Sequence, residues 1–249
     1  MTYLNGKKII TVLQKVASKD VYDNVSNPNL LINGDFRVNQ RGQTSYINTG
    51  ATHTYTVDRW RISVGSSYAN AVTVTPKTNG GVNLSFNNTL AGGNTPFIQV
   101  LENPQYLIGK TLTFTIYVSA INLGSARFRL SNYSTFATGD LKVGLNTITY
   151  KVPAGTTQLF CGIIANASTA CDCDIEYAKL EIGNISTAFS PRLYAEELSM
   201  CMRHYQIRTT DYTFPNNIID CPIPMYNEYT RGQTTINGVT YNFIDAELY

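Results

Sequence analysis

Apolar and polar residues alternate with a period of two along much of the chain. Between Thr111 and Ser119, apolar side chains occupy every second position, which puts all of them on one face of an extended strand. The pattern recurs in residues 57–64, 71–75, 82–86, 97–102, 126–130, 146–152 and 158–165. About eight to ten half-buried antiparallel strands at this spacing predict an all-β fold built as a two-sheet sandwich.

Turn-forming residues separate these runs, and two segments frame them. The predicted turns are NGG at 79–81, AGGN at 91–94, ATGD at 137–140 and PAGT at 153–156. We expect residues 29–36, NLLINGDF, to form an extended opening strand, and residues 177–191 to form a closing strand that leads into a short helix. The sandwich is therefore assigned to residues 29–190.

Composition excludes several classes of function. Of the 249 residues only 14% are charged, the net charge is +2, and no Lys/Arg run exceeds Lys7-Lys8, so we expect no nucleic-acid binding. No apolar stretch has the length of a membrane span, and the N-terminus lacks the regions of a signal peptide, which predicts cytoplasmic synthesis without membrane insertion. The five cysteines have no zinc-like spacing and are interpreted as free, buried thiols.

Segments outside the sandwich are expected to be short. In residues 1–28, Ile9, Val12, Leu13 and Val16 follow a helical period and predict an attachment or oligomerisation helix, although docking on its own domain fits equally well. A second helix is predicted over residues 191–206, mainly 192–205, with its start at Ser190-Pro191. Residues 207–249 are predicted to form a C-terminal β-extension with a hairpin at Asn237-Gly238.

The sequence CDCDIEYAKLEI, residues 171–182, changes its parity. Apolar side chains occupy odd positions before Tyr177 and even positions after it, which predicts a β-bulge near that residue. Asp172, Asp174 and Glu176 alternate with the apolar residues on one strand face. They are either ligands for a hard cation such as Ca²⁺ or a solvated acidic face. Same-face residues are ~7 Å apart at a rise of ~3.3 Å per residue, so one ion would not reach all three in a straight strand.

Three stretches resemble a module found in tail-fibre and tail-associated proteins of bacteriophages and prophages: residues 29–42, residues 55–60 and residues 177–206. The last, KLEIG..STAFSPR.Y..EL..C.R.YQ, is the more specific motif. The resemblance implies a jelly-roll sandwich similar to carbohydrate-binding modules, in a protein of the virion tail. It also implies a place for a structural calcium ion near Asp35 and Glu181. Without a fibre shaft before residue 29, the chain is similar to a short baseplate or tail-tip protein.

Catalytic motifs are absent from the sequence. There are two histidines, His53 and His204, and no nucleophile elbow, zinc-protease motif or phosphate-binding loop. A pair of opposed carboxylates, as in glycosidases, is neither indicated nor excluded by a chain with 17 acidic residues. We expect a protein that is not an enzyme and that needs no cofactor, with a structural calcium ion as the one metal that the resemblance allows.

Aromatic residues in polar loops are the candidate ligand-binding residues. The single tryptophan, Trp60, shares a strand face with apolar neighbours and is predicted to lie in the core, and Asp58 is interpreted as structural. The predicted ligand-binding residues are Tyr46, Tyr68, Tyr133 and Phe136. Their rings would stack on sugar while nearby amides and hydroxyls bind its OH groups, but the same residues also suit contacts with protein.

The sequence thus predicts a tail-associated structural protein of a phage or prophage, located on the virion, that displays a glycan-binding-like domain for host-surface recognition. Its expected partners are other tail subunits, further copies of itself and a host cell-surface glycan. The sequence leaves two alternatives open. One is a purely architectural virion subunit, and the other is a carbohydrate-binding accessory to a hydrolase.

Overall fold

The computed structural model describes residues 26–50, 53–90, 94–166, 168–213, 225 and 230–247. Two six-stranded sheets form its main body, sheet A in the order β1-β4-β5-β12-β7-β10 and sheet B in the order β2-β3-β6-β11-β8-β9. All neighbouring strands are antiparallel. The strands are β1 (Tyr46–Ile47), β2 (His53–Tyr55), β3 (Arg61–Ser63), β4 (Val72–Pro76), β5 (Val82–Phe86), β6 (Thr95–Val100), β7 (Thr111–Gly124), β8 (Ala126–Ser131), β9 (Phe136–Asp140), β10 (Gly144–Lys151), β11 (Phe160–Ala165) and β12 (Cys171–Ile182).

The chain passes repeatedly from one sheet to the other, so strands that are adjacent in a sheet are often distant in sequence. Apolar residues from both inner faces form one continuous core between the sheets. This arrangement confirms the predicted all-β, two-sheet jelly-roll sandwich. Trp60, only 1% exposed, stacks on Phe97 at 5.0 Å between ring centroids and packs against Phe36, which confirms its predicted place in the core.

Local geometry corrects three sequence predictions. Residues 29–36 are a series of bends rather than a strand, and residues 57–60 form a turn in which Arg59 has φ of 70°. Residues 137–140 belong to strand β9 although ATGD predicts a turn. Gly139 is needed in that strand because a Cβ there would lie 2.7 Å from the ring of Phe128. Close contact with the Phe128 ring, and not a turn, therefore explains the glycine at position 139.

The predicted bulge in β12 is confirmed. The pairing of β12 with β7 shifts register between Ile175 and Tyr177. Because of this shift, Cys173 and Ile175 before the bulge and Leu180 after it all face the core despite their different parity. The shift also places Lys179 on the outer side of sheet A.

Two asparagines fix the bends of the opening segment. Asn29 substitutes for a strand residue, because its Nδ2 donates to Ala178 O at 3.0 Å and its Oδ1 accepts from Leu180 N at 2.9 Å. Asn33 has φ of 56°, and its side chain bonds the backbone of Val38 and the carbonyl of Asp58. The opening segment is thus attached to β12 by the Asn29 side chain and by two separate backbone bonds, Leu30 N to Leu180 O at 2.8 Å and Ala178 N to Gly34 O at 2.7 Å, and not by a regular ladder.

A single α-helix follows the sandwich in the described residues, α1 (Tyr194–Met202). It begins three residues after the predicted Pro191 start, and Leu193 at its N-cap makes no side-chain bond. Arg192 explains the later start, since its guanidinium donates to Leu31 O and to Glu197 and thereby fixes the chain before the first turn. No helix in the described residues is long and apolar enough to cross a membrane.

A three-stranded sheet forms the C-terminal part, with β13 (Tyr205–Thr209), β14 (Thr230–Ile236) and β15 (Val239–Asp245) in the order β13-β15-β14. The predicted hairpin at Asn237-Gly238 is confirmed: both residues have positive φ, 50° and 80°, as the tight turn between β14 and β15 requires. The N-terminal helix predicted around Ile9–Val16 lies outside the described residues.

Buried charges join this small sheet to the sandwich. Arg59 Nη1 donates to Glu247 Oε2 at 2.6 Å, and Arg41 Nη2 donates to Asp245 Oδ2 at 3.0 Å. Arg41 also lies 3.5 Å from Asp58 and 3.7 Å from Glu247, so these five residues form one group, the junction cluster. Burial raises the pKa of Asp58 to about 6, whereas the nearby arginines lower the pKa of Glu247 against the opposite effect of its burial. Asp58 is structural, as predicted.

The four described cysteines, Cys161, Cys171, Cys173 and Cys201, are free and buried, which confirms the prediction for them. Cys221 lies outside the described residues.

Candidate functional site

The hairpin of β8 and β9 presents aromatic and basic side chains on the outer side of sheet B. Along β8, Ala126, Phe128 and Leu130 enter the core, so the residues between them face outward. We call the outward group the β8–β9 platform. It consists of Arg129, Ser131, Tyr133, Phe136 and Phe160.

Two of the four predicted ligand-binding residues meet on this platform. Tyr133 is 57% exposed and covers buried Phe160 with 4.6 Å between ring centroids, while Phe136 is 56% exposed and lies directly opposite Ser131 on β9. Single exposed apolar side chains are normal on protein surfaces, whereas groups of them mark interaction sites. The platform therefore offers two aromatic surfaces to a ligand.

Hydrogen bonds hold the connecting loop in one conformation. Asn132 Oδ1 accepts from Thr135 N at 2.7 Å, and Ser131 Oγ accepts from Tyr133 N at 3.0 Å. Thr135 Oγ1 is also 2.7 Å from the hydroxyl of Tyr150 on β10. These bonds fix Tyr133 at φ of 71°, a strained value for a residue other than glycine. The ring is pre-positioned, which lowers the entropy lost on binding.

Arg129 adds charge to the platform. Its guanidinium lies 4.7 Å from the centre of the Phe136 ring, and its Nε is buried without a hydrogen-bond partner in the described part of the chain. Burial, and then the neighbouring Arg127, lower the pKa of Arg129. Arg127 itself contacts Asp140 at 3.6 Å. The sequence prediction did not include Arg129, although the alternation in ARFRL places both arginines on one strand face.

The other two predicted residues lie away from the platform. Tyr46 is wrong as a ligand-binding residue: it is 2% exposed in strand β1, within the core, and its hydroxyl bonds Asn39. Burial raises its pKa. Tyr68 is half-buried in a short turn after β3, where its backbone carbonyl accepts from Asn48, and its role in binding stays a prediction.

Amide and ammonium groups satisfy the acidic face of β12. Asn83 Nδ2 donates to Asp172 and to Asp174, each at 2.9 Å, and Lys77 Nζ donates to Glu176 at 2.6 Å. The hydrogen bond from Lys77 lowers the pKa of Glu176. These contacts favour the interpretation as a polar sheet face. Within the described residues no group of three or more His, Cys, Asp or Glu side chains is placed to hold a metal ion.

Of the two residues expected near a calcium ion, Glu181 contacts an internal cation and Asp35 pairs with Arg37. Lys179 Nζ donates to Thr187 Oγ1 at 2.6 Å and to the carbonyls of Ala188 at 2.9 Å and Thr187 at 3.2 Å, and it lies 3.3 Å from Glu181 Oε2. Glu181 also accepts from the Thr187 backbone at 2.8 Å. We call this group the lysine cage. Its oxygens surround the ammonium group of Lys179, so a calcium ion does not fit inside the lysine cage, while a calcium ion at Asp35 stays a prediction.

Two clefts border the closing segment, residues 177–206. One, of about 220 Å³, lies between α1 and sheet B, and its charged groups Glu102 and Arg203 contact each other at 3.2 Å. The other, of about 310 Å³, includes Arg192 and Glu197, which are paired at 3.1 Å. These ion pairs attach the helix to the sandwich, and Arg59, which also lines the smaller cleft, is paired with Glu247 at 2.6 Å.

No protein family model matches the sequence, and no curated protein matches it. Among solved structures, the chain is similar to TmCBM61 in complex with β-1,4-galactotriose, at 13% identity over 63% of this chain and 100% of that one, with a TM-score of 0.35. It is also similar to the C-terminal family 22 carbohydrate-binding module of Clostridium thermocellum Xyn10B, at 16% identity over 57% and 96%, with a TM-score of 0.35.

A third similar structure is the enzymatically active domain of bacteriophage CBA120 tailspike protein 4, at 13% identity over 62% of this chain and 21% of that one, with a TM-score of 0.33. The strand order of the two sheets is that of a jelly-roll sandwich.

Proposed function

We propose that this protein is a glycan-binding structural protein of a phage or prophage tail, which recognises the host surface through the β8–β9 platform. The observation that carries the binding role is the pair of exposed, pre-positioned rings of Tyr133 and Phe136 beside the guanidinium of Arg129. The resemblance of residues 177–206 to tail-associated modules supports the location on the virion. Binding without catalysis is sufficient for this role.

Each platform is shallow, so one copy would bind weakly. Several copies on one particle would bind a repetitive cell-surface polysaccharide together, and the effective concentration of the second site then multiplies the affinity by ~10²–10⁴. A homo-oligomeric assembly on the tail would supply those copies. Avidity rather than a deep pocket is thus the proposed source of stable attachment.

Binding can be measured by displaying the protein on a tetrameric carrier and applying it to an array of bacterial envelope polysaccharides and defined oligosaccharides. We expect selective binding, and we expect Tyr133→Ala with Phe136→Ala to weaken it at least about tenfold, equivalent to ~1.4 kcal/mol. Tyr194→Ala is the matched control, because Tyr194 is 51% exposed on α1 and outside the platform. Absence of binding by the tetramer, or unchanged binding by the double variant, would contradict the proposal.

An architectural role is the second candidate, and one observation favours it. Ile182, Ile185 and Leu193 expose 48%, 43% and 78% of their surface within or beside the closing segment. Exposed apolar residues of this kind suit contact with another subunit. If the sandwich serves only in assembly, Ile185→Asp with Leu193→Asp will prevent incorporation into particles, while the platform variants will leave attachment to cells unchanged.

A further inference from the structure

The partly buried guanidinium of Arg129 has no counter-charge in the described part of the chain, unlike the buried cations of Arg41, Arg59 and Lys179. Arg41, Arg59 and Lys179 each lie within 4 Å of a carboxylate, at 3.0, 2.6 and 3.3 Å respectively. In the described part of the chain Arg129 makes neither an ion pair nor a hydrogen bond, and its contact is with the face of Phe136. The nearest charged neighbour on its own strand face is a second cation, Arg127.

This arrangement costs free energy in the unbound protein. A partly desolvated cation without a hydrogen-bond partner is unfavourable, and a like charge on the same strand adds to the cost. Asp140 does not relieve it, because that carboxylate contacts Arg127 at 3.6 Å and is itself mostly exposed. A bound anion would remove both penalties.

The geometry also identifies the kind of anion. A guanidinium presents N–H donors in a planar fork that matches the two oxygens of a carboxylate or phosphate. Arg129 and Ser131 lie on one face of β8, ~7 Å apart by the rise of two strand residues, with the Tyr133 and Phe136 rings beside them. One saccharide unit stacked on a ring therefore has its substituents within reach of the guanidinium.

We propose that the platform selects saccharides that carry an oxyanion, either a carboxylate or a phosphate, and that Arg129 binds this group. The inference rests on the proposed function, since it names the ligand class of the same site. Arg129 acts as the specificity-determining residue, and the rings of Tyr133 and Phe136 supply contact that does not depend on charge.

The test uses matched pairs of oligosaccharides on one array, identical except that one member carries a uronic-acid carboxylate or a sugar phosphate. We expect the tetrameric protein to prefer the anionic member at least about tenfold, which corresponds to ~1.4 kcal/mol. Arg129→Gln should abolish the preference while it retains binding of the neutral member, and Arg129→Lys should restore part of it. Carboxylate and phosphate pairs, read separately, show which oxyanion is bound.

Lys151→Gln is the control for net charge, because Lys151 is exposed on β10 in the other sheet. Equal binding of both members of a pair, or a preference that survives Arg129→Gln, would overturn the inference. The proposed function would still hold in that case if the Tyr133→Ala, Phe136→Ala double variant weakens binding. Absence of binding to every member of every pair would contradict both.

Discussion

The closing segment and the β8–β9 platform differ in whether their positively charged side chains have oxygen partners. In the closing segment, Lys179 lies in a cage of oxygens and Arg192 is shared by two carbonyls and a carboxylate. On the platform, Arg129 is half-buried with a ring on one side and no acid. Satisfied buried charges attach one part of a fold to another, whereas an unsatisfied charge beside exposed rings is available to a ligand. The motif with the most specific family resemblance is therefore a structural closure, and the candidate site lies elsewhere.

Breaking the lysine cage should have the largest effect. Lys179→Met leaves Glu181 buried with only the two donors of Thr187, so we expect the free energy of unfolding to fall by about 3–5 kcal/mol. Burial lowers the pKa of Lys179, although Glu181 acts in the other direction. Urea denaturation measures the change. Lys179→Met with Glu181→Leu removes both charges and should recover most of the loss.

A loss below about 1 kcal/mol for Lys179→Met would show that the cage is not structural. Treatment with EDTA provides an independent check on the cage. Because an ammonium ion supplies the positive charge, we expect Tm to stay unchanged, and a lowered Tm would indicate a metal ion instead.

The junction cluster should produce a smaller, pH-dependent effect. Since the pKa of Asp58 is raised to about 6 by burial, the folded protein holds a proton on this carboxyl more tightly than the unfolded chain does. The resulting stabilisation is complete below the unfolded pKa of ~4 and is lost as the pH rises through 6. Relative to Asp58→Asn, the wild-type free energy of unfolding should therefore decrease by about 1–3 kcal/mol between pH 4 and pH 7.

Urea denaturation at several pH values measures both proteins. The pKa of Glu247 is lowered, so its contribution to stability has the opposite pH dependence. Glu247 is present in both wild type and Asp58→Asn, so its contribution largely cancels when the two free energies of unfolding are subtracted. Parallel stability profiles of wild type and variant would show that Asp58 does not titrate in this range.

Arg129 should have the smallest effect on stability. In Arg129→Gln the lost contact with Phe136, worth ~0.5–1 kcal/mol, is offset by the removal of an unpaired charge next to Arg127, so we expect a net change within about 0.5 kcal/mol. Thermal unfolding compared with Lys151→Gln measures it. A loss as large as that of Lys179→Met would make Arg129 a structural residue and would remove the contrast between the two regions.

Much of the sandwich was predictable because strand periodicity is local. Residues 82–86 form β5 within the predicted bounds, and the parity change at Tyr177 identified the bulge. The strand β9 was missed because Gly139 is required by contact with Phe128, a residue on another strand. Two of the five platform residues were predictable: polar loop composition indicated Tyr133 and Phe136, but it also indicated Tyr46.

By itself, the sequence determined the alternation that makes two sheets, the position of the bulge and the tight turn at Asn237-Gly238. Each depends on backbone geometry within a few residues. Only the tertiary structure decided that Tyr46 is buried while Tyr133 is exposed, that Lys179 is enclosed by oxygens, and that Arg129 has no acidic partner. Burial and charge pairing depend on which strands become neighbours in the sheets, and that is set by the packing of the whole core.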